Sequence, residues 1–113
     1  MEKKILNEIE IKNKSKFFQF EKFFEKIEDT NAQFSNGPLI SFNELRLIKD
    51  DYNVKEIYIE VDYDYNNEID FNQLTLWIEL PKKITSNLLV EICNMKPDEI
   101  SEDYDNFLRL WWD

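Results

Sequence analysis

The sequence predicts an α+β domain: a mostly antiparallel sheet of four to five strands, one long N-terminal helix and one short C-terminal helix, in the order βαβββαβ. Three observations carry this reading. The segments "VKEIYIEVDY" and "QLTLWIEL" alternate apolar and polar residues with a period of two. The segment "KFFQFEKFFEKIED" instead places Phe17, Phe20, Phe24 and Ile27 at three- and four-residue steps, the spacing of one helix face. Nine Phe, five Tyr and three Trp among 113 residues supply a core, and the single glycine, Gly37, leaves no linker-like stretch, so one domain over residues 1–113 is expected.

Taken in order, "KKILNEIEIKNK" reads as a first strand, because Ile5, Ile9 and Ile11 share parity against Glu8, Glu10 and Lys12. Ser15 is the expected cap of the Phe-rich helix, which Phe18 and Phe23 widen. The turn "SNGP" leads into "LISFNELRLIKD", expected as a strand, and "DDYN" separates it from the next. In the following pair, Ile57, Ile59 and Val61 alternate with Tyr58, Glu60 and Asp62, while Leu74, Leu76, Ile78 and Leu80 alternate with Thr75, Trp77 and Glu79. Each strand thus has one apolar face and one acidic, aromatic face. Past Pro81, Thr85 or Ser86 caps a helix through "NLLVEICNM", with Leu88, Leu89 and Ile92 toward the sheet and Cys93 expected as a buried, inert thiol. The stretch "KPDEISEDYD" reads as a loop. The closing "NFLRLWWD" reads as a strand with Phe107 and Trp111 on one side and Leu108, Leu110 and Trp112 on the other, apolar enough on both faces to lie inside a sheet or against a partner.

Between the alternating strands lies "DYDYNNEIDFNQL", where Asp62, Asp64 and Asn66 occupy the first, third and fifth positions of a calcium-binding EF-hand loop and Ile69 its apolar eighth. Gln73 stands where that loop needs a bidentate glutamate, and the flanks have strand periodicity where the motif needs helices. A hairpin is expected instead, pairing Val61 with Leu74, Ile59 with Leu76 and Ile57 with Ile78. Asn67 and Glu68 then stand at the turn, or Asn66 and Asn67 in a register shifted by two.

Composition narrows the chemistry. Histidine is absent and Cys93 is the lone cysteine, which removes Ser-His and Cys-His nucleophile pairs, a zinc ligand set and any intrachain disulfide. No cofactor and no enzymatic activity is expected. The start lacks the uninterrupted apolar run of a signal peptide, and no segment approaches a bilayer span, so the cytoplasm is the expected compartment. The charge is lopsided: residues 1–49 carry nine Lys and Arg against eight Asp and Glu, and residues 50–113 carry five against sixteen. A net +1 followed by a net −11 repels nucleic acid and anionic membranes and attracts a basic protein.

The candidate partner-binding residues follow from that field. The hairpin offers Tyr58, Glu60, Asp62 and Trp77, its tip adds Asp64, Glu68 and Asp70, and the acidic stretch before the last strand adds Glu99, Glu102 and Asp103. Tyr58 and Trp77 are either surface anchors or core beneath a helix, and periodicity alone leaves both open. The end of the chain, from Pro81 through "LLVEICNMKPDEISEDYDNFLRLWWD", resembles the closing third of bacterial immunity proteins of contact-dependent inhibition and polymorphic toxin systems. The resemblance implies a protein that binds a cognate toxin domain, often a cationic nuclease, and blocks its active site or substrate path. A nucleic-acid-mimicking inhibitor of a host nuclease and a calcium-binding module using residues 62–73 are the alternatives.

Overall fold

A computed structural model describes residues 3–25, 29–31, 40–63, 66, 69–104 and 106–112; the side chains of residues 69–74 and 103 lie outside that description. The architecture is α+β. The elements run α1 (Lys3–Asn13), β1 (Ser15–Gln19), α2 (Phe20–Phe24), α3 (Phe42–Asp51), β2 (Glu56–Tyr63), β3 (Ile69–Glu79), α4 (Ser86–Asn94), β4 (Glu99–Tyr104) and β5 (Phe107–Trp111). Among the described residues, five antiparallel strands form one sheet in the order β1-β2-β3-β5-β4.

Two apolar layers hold the sheet. On one face, Phe20 and Phe23 of α2, Leu45 and Ile48 of α3, and Leu88 and Ile92 of α4 cover Ile57, Ile59, Val61, Leu76, Ile78, Leu108 and Leu110. On the other, α1 lays Ile5, Leu6 and Ile9 over Phe17, Tyr58, Trp77 and Phe107. Both faces of the central strands are therefore used, and the expectation that β5 is interior is met, since β3 and β4 flank it.

The expected order βαβββαβ is corrected at four places. Residues 3–13 are a helix, because Ile5 and Ile9, with Leu6 beside them, also share a helical face; Ile11, which the strand reading placed with them, points into solvent. Ser15–Gln19 is a strand, and the expected long helix is reduced to Phe20–Phe24. The strand sends Phe17 to the α1 side and Phe18 to the main core, so adjacent aromatics are buried on opposite faces of the sheet. Ile27 and the "SNGP" turn lie outside the described residues. Residues 42–51 are a helix started by a capping box, in which Ser41 Oγ accepts from Glu44 N–H and the Glu44 carboxylate accepts from Ser41 N–H. Finally, the expected acidic loop contains strand β4.

The hairpin has the expected first register: Ile57 opposite Ile78, Ile59 opposite Leu76 and Val61 opposite Leu74. A bulge follows, and Asp62 pairs with Asp70 instead of Gln73, leaving residues 71–73 as extra backbone in β3. At α4, Thr85 Oγ1 accepts from Leu88 N–H as the cap. Leu89 and Cys93, expected in the core, are exposed, because the face of α4 that meets the sheet is set by Leu88, Ile92 and the C-cap Met95. Left-handed backbone falls on Lys14, Asn53, Lys96 and Asn106, at junctions where glycine is the usual occupant.

Candidate functional site

Opposite residues of an antiparallel sheet point to the same side, so the register gives the α1 face row by row. One row is Phe17, Glu60, Thr75, Trp111 and Glu99; the next is Gln19, Tyr58, Trp77, Arg109 and Ser101. Helix α1 roofs the β1 and β2 end of these rows. Tyr58, Glu60 and Trp77 are consequently buried at 6%, 3% and 3% exposure, and three of the ten predicted partner-binding residues are core.

Glu60 is held by three neutral donors. Trp77 Nε1 donates to its Oε1 at 2.9 Å, while Ser15 Oγ and Asn13 Nδ2 donate to Oε2 at 2.6 and 3.0 Å. These donors come from β3, the start of β1 and the last turn of α1, so one carboxylate ties the roof to the sheet. Phe17 stacks edge-on against Trp77 at 5.9 Å and against Tyr58 at 6.5 Å. Burial, with the Glu79 and Glu56 carboxylates behind it, raises the Tyr58 hydroxyl above its ordinary value. Glu79 is also buried, with the Lys55 ammonium 3.8 Å away. Where the hairpin carries Tyr58, Glu60, Thr75, Trp77 and Glu79, its acidic face is therefore an internal polar layer.

Beyond α1, the same face continues onto β5 and β4 without a helix above it among the described residues. Trp111 is half-buried there, with exposed Glu99 opposite it. Tyr104 is exposed at 39% and tilts against Trp77 at 6.1 Å, and the Arg109 guanidinium lies over the Trp77 ring, 6.0 Å from its centroid. Exposed Glu102 follows in a bulge where residues 102 and 103 face Leu108. Of the remaining predicted residues, Asp62 is exposed where β2 meets the start of β1. Asp64 and Glu68 lie outside the described residues, as do the side chains of Asp70 and Asp103. The site is thus a shelf of Glu99, Tyr104, Arg109 and Trp111, with Glu102 on the same strand but on the Leu108 side of the sheet, and Asp62 set apart from it.

Sequence reasoning found both glutamates and missed the aromatics beside them. Trp111 was legible from its parity with Phe107, whereas Tyr104 was hidden by reading its strand as a loop. Both arms of the expected calcium loop are strands, and no group of three or more acids or cysteines poised for a metal occurs among the described residues. Two shallow crevices flank Lys82 and Lys83, and Glu102 is the one carboxylate lining them. No helix among the described residues is long and apolar enough to cross a membrane. No protein-family model, curated protein or solved structure matches the chain.

Proposed function

We propose that this chain is a cytoplasmic immunity protein, which binds a cognate basic toxin domain, a nuclease, and occludes its active site or substrate path. The observation that supports this reading most is where the negative charge lies: residues 50–113 carry sixteen Asp and Glu against five Lys and Arg, exposed Glu99 stands on the open shelf with Trp111 and Tyr104, and exposed Glu102 lies on the same strand. Aromatic side chains give an interface contact area at low entropic cost, and carboxylates around them pair with Arg and Lys of the partner. The acids take the places that nucleic-acid phosphates would occupy on the toxin, so binding needs no cofactor and no reaction.

The surface proposed here differs from the one that strand alternation suggests. Tyr58, Glu60 and Trp77 support it from beneath, and Glu99, Tyr104 and Trp111 make contact, with Glu102 as a neighbouring charge on the same edge strand and Asp62 at the far end of the hairpin as an outlying charge. The test is affinity capture from the source organism, followed by a nuclease assay on whatever is captured. A cationic nuclease inhibited at one-to-one stoichiometry is the expected outcome. Capture of an acidic protein or of nucleic acid, or a nuclease left fully active, refutes the reading.

A further inference from the structure

The two edges of the sheet are not equivalent. At β1, the Phe17 N–H, which points away from β2, donates to the Glu10 carboxylate of α1 at 2.9 Å, and the strand carries Lys16. That edge is partly closed and locally basic. At the other end, β4 pairs among the described residues with β5 on one side only.

The hydrogen-bond phase shows what β4 presents. Leu80 N–H donates to Asn106 C=O at 2.8 Å, so 80 and 106 form a hydrogen-bonded pair in the β3–β5 ladder. Residues 108 and 110 of β5 then bond toward β3, and 107, 109 and 111 toward β4. Their partners in β4 are 104, 101 and 99, which leaves the N–H and C=O of Ile100 directed to the open edge. Ile100 is itself 41% exposed on the main-core side, next to Glu99 on the α1 side.

Resting on the proposed function, we infer that β4 is the contact strand: a basic, extended segment of the partner adds to the sheet alongside it, pairing its backbone with Ile100. The occupant follows from the alternation on β4. A neighbouring strand must set a side chain beside Glu99 on one face and beside Ile100 on the other, so a segment alternating Lys or Arg with Val or Ile fits. A second copy of this chain does not, because antiparallel pairing through Ile100 would set each Glu102 opposite the copy's Asp98, on molecules of net charge −10.

The probe is a capped peptide of about nine residues alternating Lys and Val, titrated to millimolar concentration into the isotopically labelled full chain while amide signals and exchange are followed. The expected result is a response centred on β4, with exchange at Ile100 slowed roughly tenfold. The same peptide N-methylated at alternate residues, and an alternating Glu and Val peptide, should each bind at least roughly tenfold more weakly. Ile100→Pro removes an outward N–H that bonds to no other strand among the described residues, so it should leave the fold intact and abolish the response; if that variant fails to fold, the N-methylated peptide on the native chain decides. A response at the β1 edge, equal binding of the N-methylated peptide, no binding at millimolar concentration, or dimerisation along β4 overturns the inference. The two proposals fail differently. If Glu99→Lys with Glu102→Lys weakens the captured partner and Ile100→Pro does not, strand addition is wrong and the basic-partner reading stands. If the peptide docks on β4 while the captured partner is indifferent to charge reversal, the reverse holds.

Discussion

Replacing Glu60 tests whether the predicted acidic hairpin face is structural. In Glu60→Ala the Trp77 indole N–H loses its acceptor at 3% exposure, the Ser15 hydroxyl loses its own at the same exposure, and a small void opens beneath α1. An orphaned buried donor costs about 1–3 kcal/mol, so two donors and the lost packing together give about 3–5 kcal/mol. In a chain of this size that corresponds to a fall in Tm of roughly 10–20 °C. Glu60→Gln retains the shape and one acceptor oxygen, and Asn13 and Ser15 can each turn to offer an acceptor to the new amide. Only the charge-assisted strength is lost, about 1–2 kcal/mol. Urea titration followed by tryptophan fluorescence measures both, and Trp77→Phe in the Ala background should recover part of the loss by deleting the orphaned N–H. An alanine variant within about 0.5 kcal/mol of wild type, or a glutamine variant as damaged as the alanine one, would refute the reasoning.

Three further outcomes are expected. Because burial raises the Tyr58 hydroxyl above 10.0, the unfolded chain releases this proton first; its stabilising contribution is complete below that pH and is lost as pH rises through the folded value. Alkaline unfolding curves should therefore be less steep in Tyr58→Phe. Lys14→Gly and Lys96→Gly relieve left-handed backbone at the ends of α1 and α4, and each should raise stability by about 0.5–1 kcal/mol in chemical denaturation. Calcium at millimolar concentration should release no heat in calorimetry, since the flanks of the Asp62–Gln73 loop are strands and its last position lacks a carboxylate.

The hairpin was legible because burial on one face forces a period of two, and a slip by one residue would turn every apolar side chain outward. The α4 cap at Thr85 was legible for a similarly local reason. Elsewhere, tertiary demand decided between readings that the sequence allowed equally. Ile5 and Ile9 satisfy both strand parity and a helix step, and the choice fell to helix because Phe17, Tyr58 and Trp77 needed a cover. The run from Phe17 to Phe24 has helix spacing, yet β2 required an edge partner and took its first residues. Helix α3 was signalled by Ser41 and Glu44, a capping box that the β-rich look of "LISF" obscured. The candidate site was legible in its charge and not in its surface. Tyr58, Glu60 and Trp77 went inside with α1, and the exposed aromatic shelf formed where β4 was read as a loop.

The most direct test of the account is the salt dependence of affinity for the captured partner, compared between the native chain and the Glu99→Lys, Glu102→Lys variant. The account predicts that native affinity falls as salt rises, and that the variant binds more weakly at low salt with a shallower dependence. Equal affinities and equal salt dependence would contradict it.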